Sequence, residues 1–165
     1  MLKVRFERRV AVSLALVGLS AGMSASKLSA APATFVSDSD VGTTPGHFRY
    51  FGRWEHVRNV RDGRFLGSSS RTFTVGAVLT FTFVGSAVRV FGVRGPGGGH
   101  AVVTLDRVRQ QDVDFYAIHK QVRAIVFESP LLHRHLHTLA IAAVADSRGG
   151  GRQHSFINVS GAAYQ

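Results

Sequence analysis

From residue 47 onward, apolar and polar positions alternate with period two, and β-branched or aromatic residues fill the apolar ones. Val78 to Val84 is the clearest run: Leu79, Phe81 and Phe83 share one face, Thr80 and Thr82 the other. Gly85-Ser86 reads as a two-residue hairpin turn into Ala87 to Val93, where Val88 and Val90 alternate with Arg89 and Phe91. His47 to Trp54 and Arg71 to Val75 are expected as earlier strands. Arg94 to Gly99 is a Gly-rich loop, followed by strands over His100 to Leu105, Val113 to Ala117 and Ala124 to Glu128. Leu136 to Ala145 is long and Ala-rich, but Thr138, Ile141 and Val144 favour a strand over a helix. Asp146 to Gly151 breaks it, and Ser155 to Val159 closes the series. Many short strands at this spacing predict an all-β, two-sheet antiparallel β-sandwich of the jelly-roll kind. Its core should hold Phe81, Phe83, Val88, Val90, Val103, Leu105, Phe127, Leu139 and Ile141.

The first 46 residues differ in kind. Lys3, Arg5, Arg8 and Arg9 precede an apolar stretch over Val10 to Gly22, and small residues follow to Ala30. This is the layout of a secretory signal peptide over 1–30, with cleavage after Ala25 or Ala30, or else of an uncleaved anchor. Residues 31–46 are small and polar and read as a flexible leader, leaving 47–165 as the sandwich domain. An extracellular or cell-surface location is expected. Counted from residue 31, 15 Lys+Arg stand against 9 Asp+Glu, a net +6, and 14 of those cations are Arg. That balance favours anionic surfaces such as acidic polysaccharide or phosphate-rich wall polymers, or serves solubility alone. No dense basic run or nucleic-acid motif is present, so DNA or RNA is not expected as a partner. With no Cys in the chain, disulfides and thiol chemistry are excluded.

Candidate chemistry is sparse. Trp54 is the only Trp; its indole is either a sugar-stacking platform or a buried corner residue. Arg94 and His100 flank Gly95-Pro96-Gly97-Gly98-Gly99, a loop that either admits a ligand close to its backbone or simply turns the chain. Asp106 and Tyr116 sit at or near strand ends, where they would bond or stack on a sugar, or cap a turn and pack. His133, His135 and His137 alternate but begin in a turn, so convergence on a metal is not expected. Asp38 and Asp40 offer oxygen ligands for a structural calcium, though two carboxylates do not make a site; no cofactor is expected. Asn158-Val159-Ser160 fits a glycosylation sequon. No nucleophile elbow, zinc-protease helix motif or P-loop appears, and the chain reads as non-catalytic.

From Trp54 to Val159 the chain resembles the galactose-binding-like jelly-roll domains of secreted and cell-surface proteins. The match runs through Leu79 to Gly92, then Gly99 to Asp106, Val113 to Ala117, Val126 to Ser129 and His137 to Ile141, in order. Two positions depart from the pattern: Arg107 stands where Gly usually follows the strand-end Asp, and Asn158 where Asp is usual. The resemblance implies the sandwich fold and a tendency toward carbohydrate binding, and it places Trp54 and His137 at structural positions. The expectation is a secreted, non-catalytic module that binds carbohydrate or an acidic wall polymer at one loop end. Trp54, Arg94, His100, Asp106 and Tyr116 would form the site. A structural or protein-interaction sandwich with no sugar site is the alternative, and a small hydrolase would need titratable groups converging in one pocket.

Overall fold

The computed structural model describes residues 32–58, 60–145 and 155–165. The targeting segment expected over 1–30 and the break at 146–151 lie outside them. The described residues form eleven strands in two antiparallel sheets, with no α-helix among them. The first sheet holds β1 (Thr34–Ser37), β3 (Glu55–Val57), β4 (Ser69–Thr72), β6 (Val88–Arg94), β9 (Gln121–Glu128) and β11 (Ile157–Tyr164). Its order is β3-β4-β11-β6-β9, and β1 also pairs with β11. The second sheet runs β2-β5-β10-β7-β8, from β2 (His47–Phe51), β5 (Val78–Gly85), β10 (His135–Val144), β7 (His100–Leu105) and β8 (Val108–Asp114).

Period-two alternation directs one row of each strand inward. Leu79, Phe81 and Phe83 of β5 and Leu139 and Ile141 of β10 have no exposed surface, and neither do Val90 of β6 and Val159 of β11. All nine core residues expected from the pattern are buried, and Phe48, Phe115 and Val126 join them. Phe48 packs on Phe81 with ring centroids 4.7 Å apart, and Tyr164 from the facing sheet sits 5.8 Å from both Phe81 and Phe83. A fully buried side chain of this size stabilises by about 1.5–3 kcal/mol, and Tyr164 ties this aromatic cluster to the first sheet.

Two expectations are corrected. Gly85-Ser86 is not a hairpin turn: β5 belongs to the second sheet and β6 to the first, so the two residues carry the chain across the sandwich. Turn chemistry specifies a local bend, not which sheet the next strand joins. The amides of Ser86 and Ala87 both donate to the backbone oxygen of Gln165, which pins the crossing. Residues 31–46 are not a flexible leader throughout. Thr34–Ser37 pairs with Gly161–Tyr164 as β1, Val36 and Asp38 are buried, and Val41 bridges to Phe48. β3 lies where no strand was expected, and the strand expected over Val113 to Ala117 is shifted upstream, ending before Phe115. β3 is short and exposed, and β8 starts at Val108 and ends at Asp114, with only Val113 buried. Both are edge strands, whose polar faces erase the alternation an interior strand shows.

Candidate functional site

β11 is central in the first sheet: β6 flanks one side, while β4 and β1 share the other end to end. Register sets its two faces. Ser70 opposite Val159 forms part of the inward row, so Arg71 opposite Asn158, and Glu55 opposite Arg71, point outward. Further along the outer face, Ser69 stands opposite Val57. The short 3-10 turn Phe65–Gly67 lays Phe65 over β6, where its ring stacks on Phe91 with centroids 4.2 Å apart. Phe35 of β1 completes an aromatic strip, 6.0 Å from Phe65.

Beyond this strip, toward the Gly-rich loop, the outer face opens into a cavity of about 410 Å³. Arg64, Arg71, Arg94 and Lys120 line it together with Asn158, and Val57, Val93, Pro96 and Phe156 add apolar wall. Among the described residues, none of its lining is acidic. Three of the cations are held by carboxylates. Asp62 accepts from Arg64 Nε at 2.9 Å and Nη2 at 2.7 Å, and from Lys120 Nζ at 2.6 Å. Glu55 accepts from Arg71 Nε at 2.9 Å. The Arg64 hydrogen bonds hold the Asp62 carboxyl well below the usual carboxylate range, and Asp62 in turn raises the Arg64 guanidinium. Arg64 also donates through Nη1 to Ser69 Oγ at 2.6 Å, which fixes its position.

Arg94 differs. Among the described residues no carboxylate pairs with it, and its one hydrogen bond is a long contact of 3.4 Å from Nη2 to the Ile125 carbonyl. Its Nε is buried without a partner, and so is Oδ1 of Asn158 on the same cavity. Buried polar groups are paired in the great majority of cases, so two on one cavity wall are a notable exception. Asn158 is the position where the sequence departs from the Asp of the resembled pattern. The sequon it heads is buried in the central strand, with Val159 and Ser160 fully covered.

Of the five expected ligand-binding residues, only Arg94 lines this cavity. The register puts Trp54, His100 and Tyr116 at the same end of the sandwich but in different surroundings. Trp54 is partly buried against the core, its Nε1 donating to the Phe51 carbonyl at 3.1 Å and its ring 5.0 Å from Tyr50. His100 lines a separate hollow of about 220 Å³ with Phe73 and Ser155. Tyr116 bridges to Gly95, and its amide donates to Asp114 at 2.7 Å. Asp106 lies at the opposite end, beyond β7. One of its carboxylate oxygens meets His137 Nδ1 at 2.7 Å, and the other accepts from the Thr138 amide at 2.8 Å. Arg64, Arg71, Lys120, Phe156 and Asn158 were not anticipated as site residues; they are far apart in sequence and meet only through the sheet order.

Two polar clusters lie outside the cavity. His137 is buried, and its Nε2 faces the His133 carbonyl at 2.8 Å while Nδ1 faces Asp106. Both partners are acceptors, which favours the charged imidazole, with both ring nitrogens donating. Burial opposes that charge, but the Asp106 carboxylate and the backbone carbonyls outweigh it and raise the His137 pKa. Burial likewise works against the Asp106 charge, and the Thr138 amide and His137 overcome it, lowering the Asp106 pKa. Elsewhere, Asp38 is buried and accepts from Ser68 and Ser70, and Ser70 Oγ also meets His56 Nδ1 at 2.7 Å. Burial pushes the Asp38 carboxyl up. This chain is Asp–Ser–His in contact order, with the serine in the middle and fully buried. A hydrolytic relay needs the histidine between the other two and the serine open to substrate. Asp40 accepts from the Ser37 amide at 3.1 Å. Among the described residues, no group of three or more His, Asp or Glu could hold a metal ion.

No protein-family model matches the chain, and no curated protein sequence does. Solved structures match it by shape. A family two carbohydrate esterase from Cellvibrio japonicus aligns with a TM-score of 0.55 at 16% identity, over 81% of this chain and 33% of the esterase. The chain thus spans about a third of that enzyme. A family 35 carbohydrate binding module from Clostridium thermocellum aligns with a TM-score of 0.53 at 11% identity, over 81% of this chain and 97% of the module. The Agl-KA catalytic domain aligns with a TM-score of 0.50 at 12% identity, over 81% of this chain and 27% of that one. At such identities the likeness is one of fold: the chain is a two-sheet antiparallel jelly-roll sandwich of the kind found in carbohydrate-binding modules.

Proposed function

We propose that the chain is a non-catalytic carbohydrate-binding module acting outside the cell, and that it engages its glycan in the cavity on the outer face of the first sheet. The observation that carries this reading is the pair of unpartnered buried atoms, Arg94 Nε and Asn158 Oδ1, on one cavity wall. A guanidinium donates and an amide does both, and sugar hydroxyls answer to both. The volume of about 410 Å³ falls within the ~300–1,000 Å³ of small-molecule sites, and the apolar wall of Val57, Pro96 and Phe156 suits the C–H face of a pyranose. Nearly the whole length of the matching family 35 module corresponds to this chain, in keeping with a module that needs no catalytic domain to bind. An extracellular site of action accords with the signal-peptide pattern of residues 1–30.

Native gels cast with soluble polysaccharides test the reading. The full chain should be retarded by at least one of them, and Arg94→Ala should migrate in that gel as in a gel without polysaccharide. Retardation unchanged by Arg94→Ala would move the site elsewhere. A second reading, a protein-interaction surface, draws on Phe35 and Ile125, which are 60% and 46% exposed on the outer face of the first sheet. Sedimentation that shifts with concentration would favour it.

A further inference from the structure

Resting on the proposal that the cavity binds a saccharide, we infer that its ligand is an anionic sugar residue, one that carries a carboxylate beside its hydroxyls, and not a neutral one. Among the described residues, four cations line the cavity and no acid does. The two carboxylates that offset them, Asp62 and Glu55, serve Arg64, Lys120 and Arg71. Arg94 is left with its charge uncompensated among the described residues, at the edge of the Gly95–Gly97 loop. A neutral sugar would leave that charge half-covered and unpaired, which costs more than an unpaired neutral group. A carboxylate would pair with the guanidinium in a planar, charge-assisted geometry that no hydroxyl reproduces.

Asn158 narrows the choice of anion. It is 6% exposed, and its Oδ1 needs a donor. Inorganic phosphate and phosphodiester linkages at neutral pH bring mainly acceptors, so they satisfy Arg94 and leave the amide oxygen orphaned. A uronate-type residue brings a carboxylate for Arg94 and hydroxyl donors for Asn158 in one ring. Asp62 has a further part: by holding both Arg64 and Lys120 it keeps two cations turned to the cavity without entering its lining.

The test is isothermal titration of the full chain with three probes: a galacturonate oligosaccharide, a neutral galactose oligosaccharide of equal length, and inorganic phosphate. The galacturonate should bind at least about tenfold tighter than the neutral probe, with affinity falling as salt rises. Arg94→Gln should weaken galacturonate binding about tenfold while Arg94→Lys, which keeps the charge, recovers part of it. Lys120→Gln, at an exposed position, should weaken it less. Equal affinity for both oligosaccharides, insensitive to salt, would overturn the anionic assignment and leave carbohydrate binding standing. Phosphate binding as tightly as galacturonate would overturn it in favour of a plain anion site. No binding of any saccharide would remove both readings together.

Discussion

At Arg107 a single side chain opposes its own backbone. Asp106 and Arg107 join β7 to β8 in a two-residue turn, with φ of 51° and 68°. Such a turn asks for positive φ at both positions, where Asp and Gly are favoured and a long side chain is not. The sequence departs from the resembled pattern at this residue, and the structure supplies the cost: about 1 kcal/mol for holding a non-glycine left-handed. Arg107→Gly should therefore raise stability by about 0.5–1 kcal/mol in chemical denaturation, with the midpoint moving up and the slope unchanged. Asp106 works the other way. Asp106→Ala removes an accepted amide bond and the partner of a charged imidazole, and should cost about 1.5–3 kcal/mol. Its contribution is bounded in pH on both sides. The His137 pKa is raised on folding, so that gain is full below the ordinary histidine value and fades as pH rises through the folded value. The Asp106 pKa is lowered, so that gain is present above the ordinary carboxylate value and fades as pH falls through the folded one. Melting temperature followed from about pH 3 to about pH 9 should show the wild-type advantage over Asp106→Ala widest in mildly acidic solution and narrowing toward both limits.

Among the elements, β5, β6, β7 and β10 were legible because each has one row in the core and one outside it. Leu79, Phe81 and Phe83 announce that geometry directly. β1 was hidden because only Val36 of its four residues is buried, within a run of small and polar residues. The strand expected over Ser155 to Val159 starts two residues before β11 and stops five short of its end, since Ser160, Gly161 and Ala162 look like a loop. They are small for a reason. At Gly161, φ is 152°, and a Cβ there would meet the Val36 carbonyl and lie 2.6 Å from Phe65. Gly161→Ala should push Phe65 off Phe91 and loosen β1, at a cost of about 1–3 kcal/mol. Near-ultraviolet circular dichroism should lose intensity from the aromatic strip while the far-ultraviolet trace stays β-like. The site was half legible on the same terms. Arg94 is flagged by the Gly-rich loop it precedes, whereas Arg64, Arg71 and Lys120 carry no spacing signal and are gathered by the order β4, β11, β6, β9, with Arg64 ahead of β4 and Lys120 ahead of β9. Asn158 did leave a trace, as the amide standing where an acid is usual.

For the whole molecule, the segment expected as a flexible leader is built into the first sheet, where β1 pairs with the central β11. Val36 enters the core and Asp38 gathers Ser68 and Ser70 under it, so a protein beginning at residue 47 should be less stable by about 3–5 kcal/mol of unfolding free energy than one beginning at residue 32. Comparative urea titrations of the two shortened proteins measure this difference. The distribution of charged side chains across the sandwich is equally lopsided. The histidine–carboxylate clasp stands at one pole and the arginine-lined hollow near the other. Arginine and lysine keep their charge across the range in which histidine gives its proton up. Acidity is thus wired to endurance and not to grip: a shift in the medium would change how readily the molecule survives heat, while the hold proposed for a charged glycan would pass through the same change almost untouched.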